Sequence, residues 1–142
     1  MPTSAKTTPL LVDTSVAVAL VVADHAHHGP TFRRLRGQQL GLAGHAAFET
    51  FSVLTRLPAP ARRTPATVAR LLTATFPESR FLGARAAASL LAELQRAEIA
   101  GGAVYDALVA AAANEHGLAL ATRDRRALDV YRALGVRVEL LD

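Results

Sequence analysis

Pro9-Leu10-Leu11-Val12-Asp13-Thr14-Ser15 (PLLVDTS, residues 9–15) carries three signals in seven positions. Pro9 to Val12 is a continuous apolar run, which suits a strand buried on both faces, because a half-exposed strand would alternate. The run stops at a carboxylate followed by two hydroxyls, and Asp13, Thr14 or Ser15 can cap a helix running through Ala23. A buried strand that passes straight into a capped helix opens an α/β unit.

The same grammar repeats downstream. A second short apolar run, Gln39 to Ala43, leads into a helical pattern from Ala46 to Leu57, stopped by Pro58 and Pro60. The first unit therefore reads strand, helix, helix, strand, helix. Thr64 followed by Pro65 has the cap and first-turn signature of a helix reaching Phe76. Arg80 to Leu82 reads as a brief strand and Ala84 to Ala97 as an amphipathic helix. After Gly101 and Gly102 come a helix from Ala103 to His116 stopped by Gly117, a strand from Leu118 to Ala121, a helix from Arg125 to Leu134 ended by Gly135, and a last strand from Val136 to Leu141. Short apolar strands alternating with helices predict an α/β fold, a short parallel sheet of about four to five strands covered on both faces. Such sheets place their sites at the carboxyl ends of the strands, where the strand order reverses.

The length of 142 residues, with no internal repeat or low-complexity linker, predicts one domain over 1–142. A chain 51% hydrophobic and 20% charged is too apolar for a disordered tail and too interrupted by charge for a membrane span. It has no cysteine, which excludes disulfides, thiolate metal sites and thiol nucleophiles, so any metal must sit on oxygen or imidazole. Sixteen basic residues against twelve acidic ones leave a net charge of +4, carried by arginine except for Lys6, and a basic surface favours polyanions such as RNA. Lys6 and the apolar stretch Leu10 to Ala23 have the outline of a signal peptide. Asp13 interrupts that stretch, and a carboxylate there costs about 3 kcal/mol on insertion scales, so the expected location is the cytoplasm.

Each of the few acids can be asked what supports it. Within helices, charges are usually paired three or four positions away. Asp129 has Arg125, Arg126 and Arg132 at those spacings and Glu93 has Arg96, the pattern of solvated faces. Glu49, among Ala46, Ala47, Phe48 and Phe51, has no cation there, and neither has Asp106, between Tyr105 and Leu108. Asp13 follows the first strand, and Asp124 follows the strand Leu118 to Ala121 after Thr122 and Arg123. Helix starts and strand ends share one edge in this architecture, so Asp13, Glu49, Asp106 and Asp124 are expected to converge. Unpaired carboxylates on apolar flanks are costly unless a cation joins them. A hard divalent ion on oxygen ligands suits such a set, and the chemistry expected is metal-assisted attack of water on a phosphodiester.

The segments LVDTS (11–15), HAAFETFSVLTRL (45–57), GAVYDALVAAAA (102–113) and ATRDRRALDVYRALGV (121–136) resemble, in order and spacing, those of PIN-domain ribonucleases, the VapC-type toxins in particular. The likeness spans Leu10 to Leu141. It implies a three-layer α/β/α fold and a Mg²⁺- or Mn²⁺-dependent endoribonuclease, the toxin of a toxin–antitoxin pair, commonly a homodimer and inhibited by a cognate antitoxin protein. Asp13, Glu49, Asp106 and Asp124 match the family's acidic quartet, and Ser15 and Thr122 match the hydroxyl residues that support it. Arg123, beside Asp124, is the expected contact for substrate phosphate.

Two further clusters invite a reading. Arg33, Arg34 and Arg36, then Arg62 and Arg63, then Arg123, Arg125 and Arg126 form three basic groups suited to tracking phosphates, about half of which are expected to be ordinary solvated arginines or structural ion pairs. His25, His27 and His28 cannot all face one ion on a helix, so this segment reads as a wall of the groove or a polar helix start. Competing α/β acid-pocket families fit poorly. Ser15 stands where an aspartyl-nucleophile phosphatase needs a second Asp, Lys6 precedes the position a receiver domain requires for its lysine, and residues 13–20 contain no glycine for a phosphate loop. The alternative left open is a non-catalytic module of the same fold that binds RNA or protein.

Overall fold

The computed structural model describes residues 8–142; Lys6, on which the leader outline depends, lies outside them. Four three-residue strands, β1 (Leu10–Val12), β2 (Leu40–Leu42), β3 (Leu120–Thr122) and β4 (Val138–Leu140), pair in the order β2-β1-β3-β4. All three pairings are parallel, with Leu11 opposite Leu120 and Val12 opposite Ala121 at the centre. The chain leaves β1 toward β2 and returns to β3 on the opposite flank. The order therefore reverses between β1 and β3, the position at which parallel sheets open a crevice.

Seven α-helices surround the sheet: α1 (Thr14–Val21), α2 (His28–Leu35), α3 (His45–Thr55), α4 (Pro65–Thr75), α5 (Ala84–Arg96), α6 (Ala103–Glu115) and α7 (Leu128–Ala133). The period-two geometry of β1 divides its side chains between two cores. Leu10 and Val12 pack with Val16, Leu35, Leu54 and Val68, beneath α1 to α4. Leu11 packs on the other face with Val109, Ala110, Ala113 and Tyr131, from α6 and α7. Leu11 and Val12 are fully buried, which is why this strand shows no polar alternation. The three-layer arrangement is the one the sequence predicts, with α5 lying against the outer side of α6.

Several boundaries move, for identifiable reasons. The strand expected at Leu118 to Ala121 begins only at Leu120, because Gly117 ends α6 in a left-handed conformation (φ 66°) and the Leu118 N–H donates back to Ala113 O at 3.0 Å. The last strand is shortened in the same way, Gly135 (φ 78°) ending α7 while the Val136 N–H donates to Tyr131 O. In both places the residues after the helix are used to close its carbonyls. The helix expected from Arg125 starts as a 3-10 turn over Arg125–Ala127 and becomes α-helical at Leu128. The brief strand expected at Arg80 to Leu82 reduces to a single parallel bridge between Ala43 and Arg80, where the segment runs along the free edge of β2. The first helix stops at Val21, short of Ala23.

Candidate active site

Asp13 ends β1 and caps α1, and this double duty buries its carboxylate to 4% exposure. Four donors reach it. Oδ1 accepts from Ser15 Oγ (2.6 Å) and the Val16 N–H (3.2 Å), and Oδ2 accepts from Thr122 Oγ1 and from Tyr131 OH (2.8 Å). The two hydroxyls are themselves held by backbone donors, Arg123 N–H on Ser15 Oγ at 2.9 Å and Asp124 N–H on Thr122 Oγ1 at 3.0 Å. Each hydroxyl thus relays a backbone N–H from the end of β3 to a different oxygen of Asp13. Burial pushes the Asp13 carboxyl above the ordinary aspartate range, and the hydrogen bonds from Ser15, Thr122, Tyr131 and Val16 pull it back.

Ser15 and Thr122 therefore support Asp13 as the sequence predicts, whereas Tyr131 is a member the sequence reading passed over. Its hydroxyl is held protonated by burial and by the neighbouring Asp13, so it remains a donor. Sunk to 1% exposure, Tyr131 requires a partner for its hydroxyl, but that burial comes from tertiary packing and not from the sequence of α7.

The other three acids stand around this anchor. Glu49, in the second turn of α3, accepts from Thr14 Oγ1 at 3.1 Å. Asp124 caps the 3-10 turn through the Arg126 N–H (2.9 Å) and meets Arg126 Nε at 3.3 Å, a pair whose arginine is 93% exposed and so only weakly neutralising. Asp106, in the first turn of α6, has neither a hydrogen-bond donor nor a basic partner among the described residues. Its carboxyl is raised by burial and then by repulsion from Asp124, Glu49 and Asp13. Asp106 thus feels the other three carboxylates, with Arg126 pulling its carboxyl back the other way.

The acids are gathered at electrostatic range rather than packed into a cage. Among the described residues no three acidic or imidazole side chains form a ready metal-binding group.

Asp129 is exposed, as expected of a solvated face, but the expected pairings divide. Glu93 does pair with Arg96, but Asp129 has no basic partner among the described residues: Arg125 reaches Asp142 and Arg126 reaches Asp124. Of the three basic groups, Arg34 is paired with Glu139, and Arg62 and Arg63 donate to the carbonyls of Leu57 and Val21. Arg123 is different. It has no carboxylate partner among the described residues, touches Thr31 Oγ1 at 3.4 Å and keeps its Nε buried without an acceptor. Arg123, Asp124 and Arg126 line a cleft of about 470 Å³ together with Ser15, His25 and His27.

Comparison with known proteins identifies the family and the fold. The PIN domain family model matches residues 10–133. Ribonuclease VapC27 of Mycobacterium tuberculosis is 50% identical over 130 residues, covering 92% of this chain and 95% of that protein. Ribonuclease VapC40 of the same species is 43% identical over 131 residues, covering 91% and 96%. Among solved structures, the M. tuberculosis VapC20 toxin, described as cleaving the sarcin-ricin loop, superposes with a TM-score of 0.66 at 22% identity, covering 89% of this chain and 95% of that one. FitAcB from Neisseria gonorrhoeae superposes with a TM-score of 0.65 at 18% identity, covering 91% and 95%, and with VapC20 supports the fold. The chain belongs to the PIN-domain family, among its VapC-type ribonucleases.

Proposed function

We propose that this chain is a divalent-metal-dependent endoribonuclease, the toxin of a toxin–antitoxin pair, with Asp13, Glu49, Asp106 and Asp124 as the acids that hold the metal. The observation that carries the reading is Asp106: among the described residues it has no hydrogen-bond donor and no salt bridge, and its carboxyl is raised by burial and by Asp124, Glu49 and Asp13 against the opposing pull of Arg126. Magnesium, or manganese in its place, would supply a water of lowered pKa and a counter-charge for the phosphodiester.

The protein's own residues have distinct tasks in this reading. Ser15, Thr122 and Tyr131 fix the orientation of Asp13, so that one ligand is rigid before any ion arrives. Thr14 orients Glu49. Asp106 supplies the uncommitted carboxylate, free to accept a proton or a water hydrogen. Arg123 meets the substrate phosphate, since its guanidinium has no carboxylate partner among the described residues and lines the cleft beside Asp124.

RNA is the substrate in this reading, and the relatives named as ribonucleases support it. A cognate antitoxin and assembly as a homodimer follow from the family. No helix of the described residues is long and apolar enough to cross a membrane, in keeping with a place in the cytoplasm. The test is cleavage of purified RNA by purified protein with Mg²⁺ or Mn²⁺. EDTA should stop it, and Asp106→Asn should remove it while circular dichroism stays unchanged. Cleavage that persists in EDTA, or in Asp106→Asn, removes the metal-acid mechanism.

A further inference from the structure

We propose that His25 and His27, in the turn between α1 and α2, form a subsite that holds one unpaired ribonucleotide base beside the cleaved phosphate, an inference that rests on the ribonuclease reading above. The two imidazoles line the same cleft as Arg123 and Asp124, and Val18 and Val53 supply apolar floor. A space of about 470 Å³ falls within the size range of small-ligand pockets. Its walls supply what a nucleotide needs: apolar surface and imidazole rings for the base, and a guanidinium without a carboxylate partner for the phosphate.

Hydrogen bonding settles what His25 presents. Its Nδ1 accepts the His27 N–H at 3.0 Å, so in the neutral ring Nε2 carries the proton and is the free donor. Burial, with His27 and Arg123 nearby, holds the His25 pKa below its usual value and favours that neutral ring. A neutral donor suits the oxygen and nitrogen acceptors on a base edge, leaving phosphate to Arg123. The rings of His25 and His27 lie with centroids 5.7 Å apart and tilted by 48°, two surfaces against which a base can rest. His28 is excluded from this role, since its Nδ1 donates to Ala19 O at 3.0 Å and ties the ring to the end of α1. The turn thus divides three adjacent histidines into one structural and two facing the cleft.

The experiment uses the intact chain and a randomised single-stranded RNA, with Mg²⁺ or Mn²⁺ in one arm and EDTA in the other. In the metal arm the cut ends are sequenced and kcat and KM measured for the parent, His25→Ala, His27→Ala and His25→Gln. The alanine variants should lose base preference at one position flanking the cut, with KM raised about tenfold and kcat within about threefold. His25→Gln, which retains a donor, should recover part of the preference. Unchanged KM and unchanged preference in both alanine variants overturn the proposal. In the EDTA arm, fluorescence anisotropy measures binding without cleavage. A parent that binds RNA but never cuts it refutes the ribonuclease reading alone, and the subsite is then decided by whether the alanine variants weaken binding about tenfold or leave Kd unchanged.

Discussion

Asp13 and Asp106 are the same residue type at the same edge of the same sheet, yet their surroundings are opposite. Asp13 is sunk between β1, β3 and α7 and receives four hydrogen bonds, whereas Asp106 stands at the start of α6 with no hydrogen-bond donor or salt bridge among the described residues and only Arg126 acting on it from a distance. The difference teaches that an acidic quartet need not be four equivalent ligands. One carboxylate is part of the framework that joins β1 to β3, and another is held in reserve against repulsion. Stability is therefore expected to depend on the first and chemistry on the second. This separates two residues that charge alone would treat alike, since repulsion by itself predicts that removing either acid leaves the metal-free protein no less stable.

The strongest way to break the comparison is through activity. Asp106→Asn should reduce RNA cleavage at saturating Mg²⁺ by about a hundredfold or more while leaving the fold intact; a loss under fivefold would make Asp106 a bystander. Next in size is the cost of emptying the Asp13 position. Asp13→Ala leaves the donors of Ser15, Val16, Thr122 and Tyr131 without their acceptor, so denaturant unfolding should show a loss of about 3 kcal/mol. Stability equal to the parent would mean that the network is not holding the strands together.

Tyr131→Phe sharpens the same point with a smaller change. It removes one hydroxyl from Asp13 Oδ2 and should cost about 1 kcal/mol, with a fall in kcat well short of that in Asp106→Asn. The smallest effect is the most diagnostic of sign. The fold raises the Asp106 carboxyl, so the native state favours its protonated form. That contribution is fully present below the unfolded value near 3.8 and is lost as pH rises through the folded one, which leaves the metal-free parent strained at neutral pH. Asp106→Asn should therefore raise Tm without metal by a few degrees at pH 7, and the gain should vanish below about pH 4. Added Mg²⁺ should raise the parent's Tm more than the variant's, because only the parent has the complete acid set.

Much of the candidate site was legible as a set of candidates because these residues stand out locally. Asp13 interrupts an apolar run, Glu49 and Asp106 lie in apolar helical surroundings without a cation at helical spacing, and Ser15 and Thr122 lie within two residues of an acid. The partners drawn from far along the chain were not. Tyr131 is 118 residues from the carboxylate it serves, and nothing within α7 distinguishes it from a core aromatic. Arg126 pairs with Asp124 and Arg125 with Asp142, in place of the expected support for Asp129, and both arginines lie in a 3-10 turn over Arg125–Ala127 where an α-helix was expected. The shortened strands have a similar origin. The glycines at 117 and 135 were readable as helix stops, but the residues their caps consume were counted as strand.

Hydrophobic period, helix capping and the placement of acids are properties of neighbours in the chain, and from them the sequence alone determined a parallel α/β sheet with carboxylates at one edge. Burial, hydrogen-bond partners and the field felt by each acid depend on groups that only folding brings together. The tertiary structure therefore decided that Asp13 is saturated and Asp106 is not, and that His25 and His27, but not His28, face the cleft beside them.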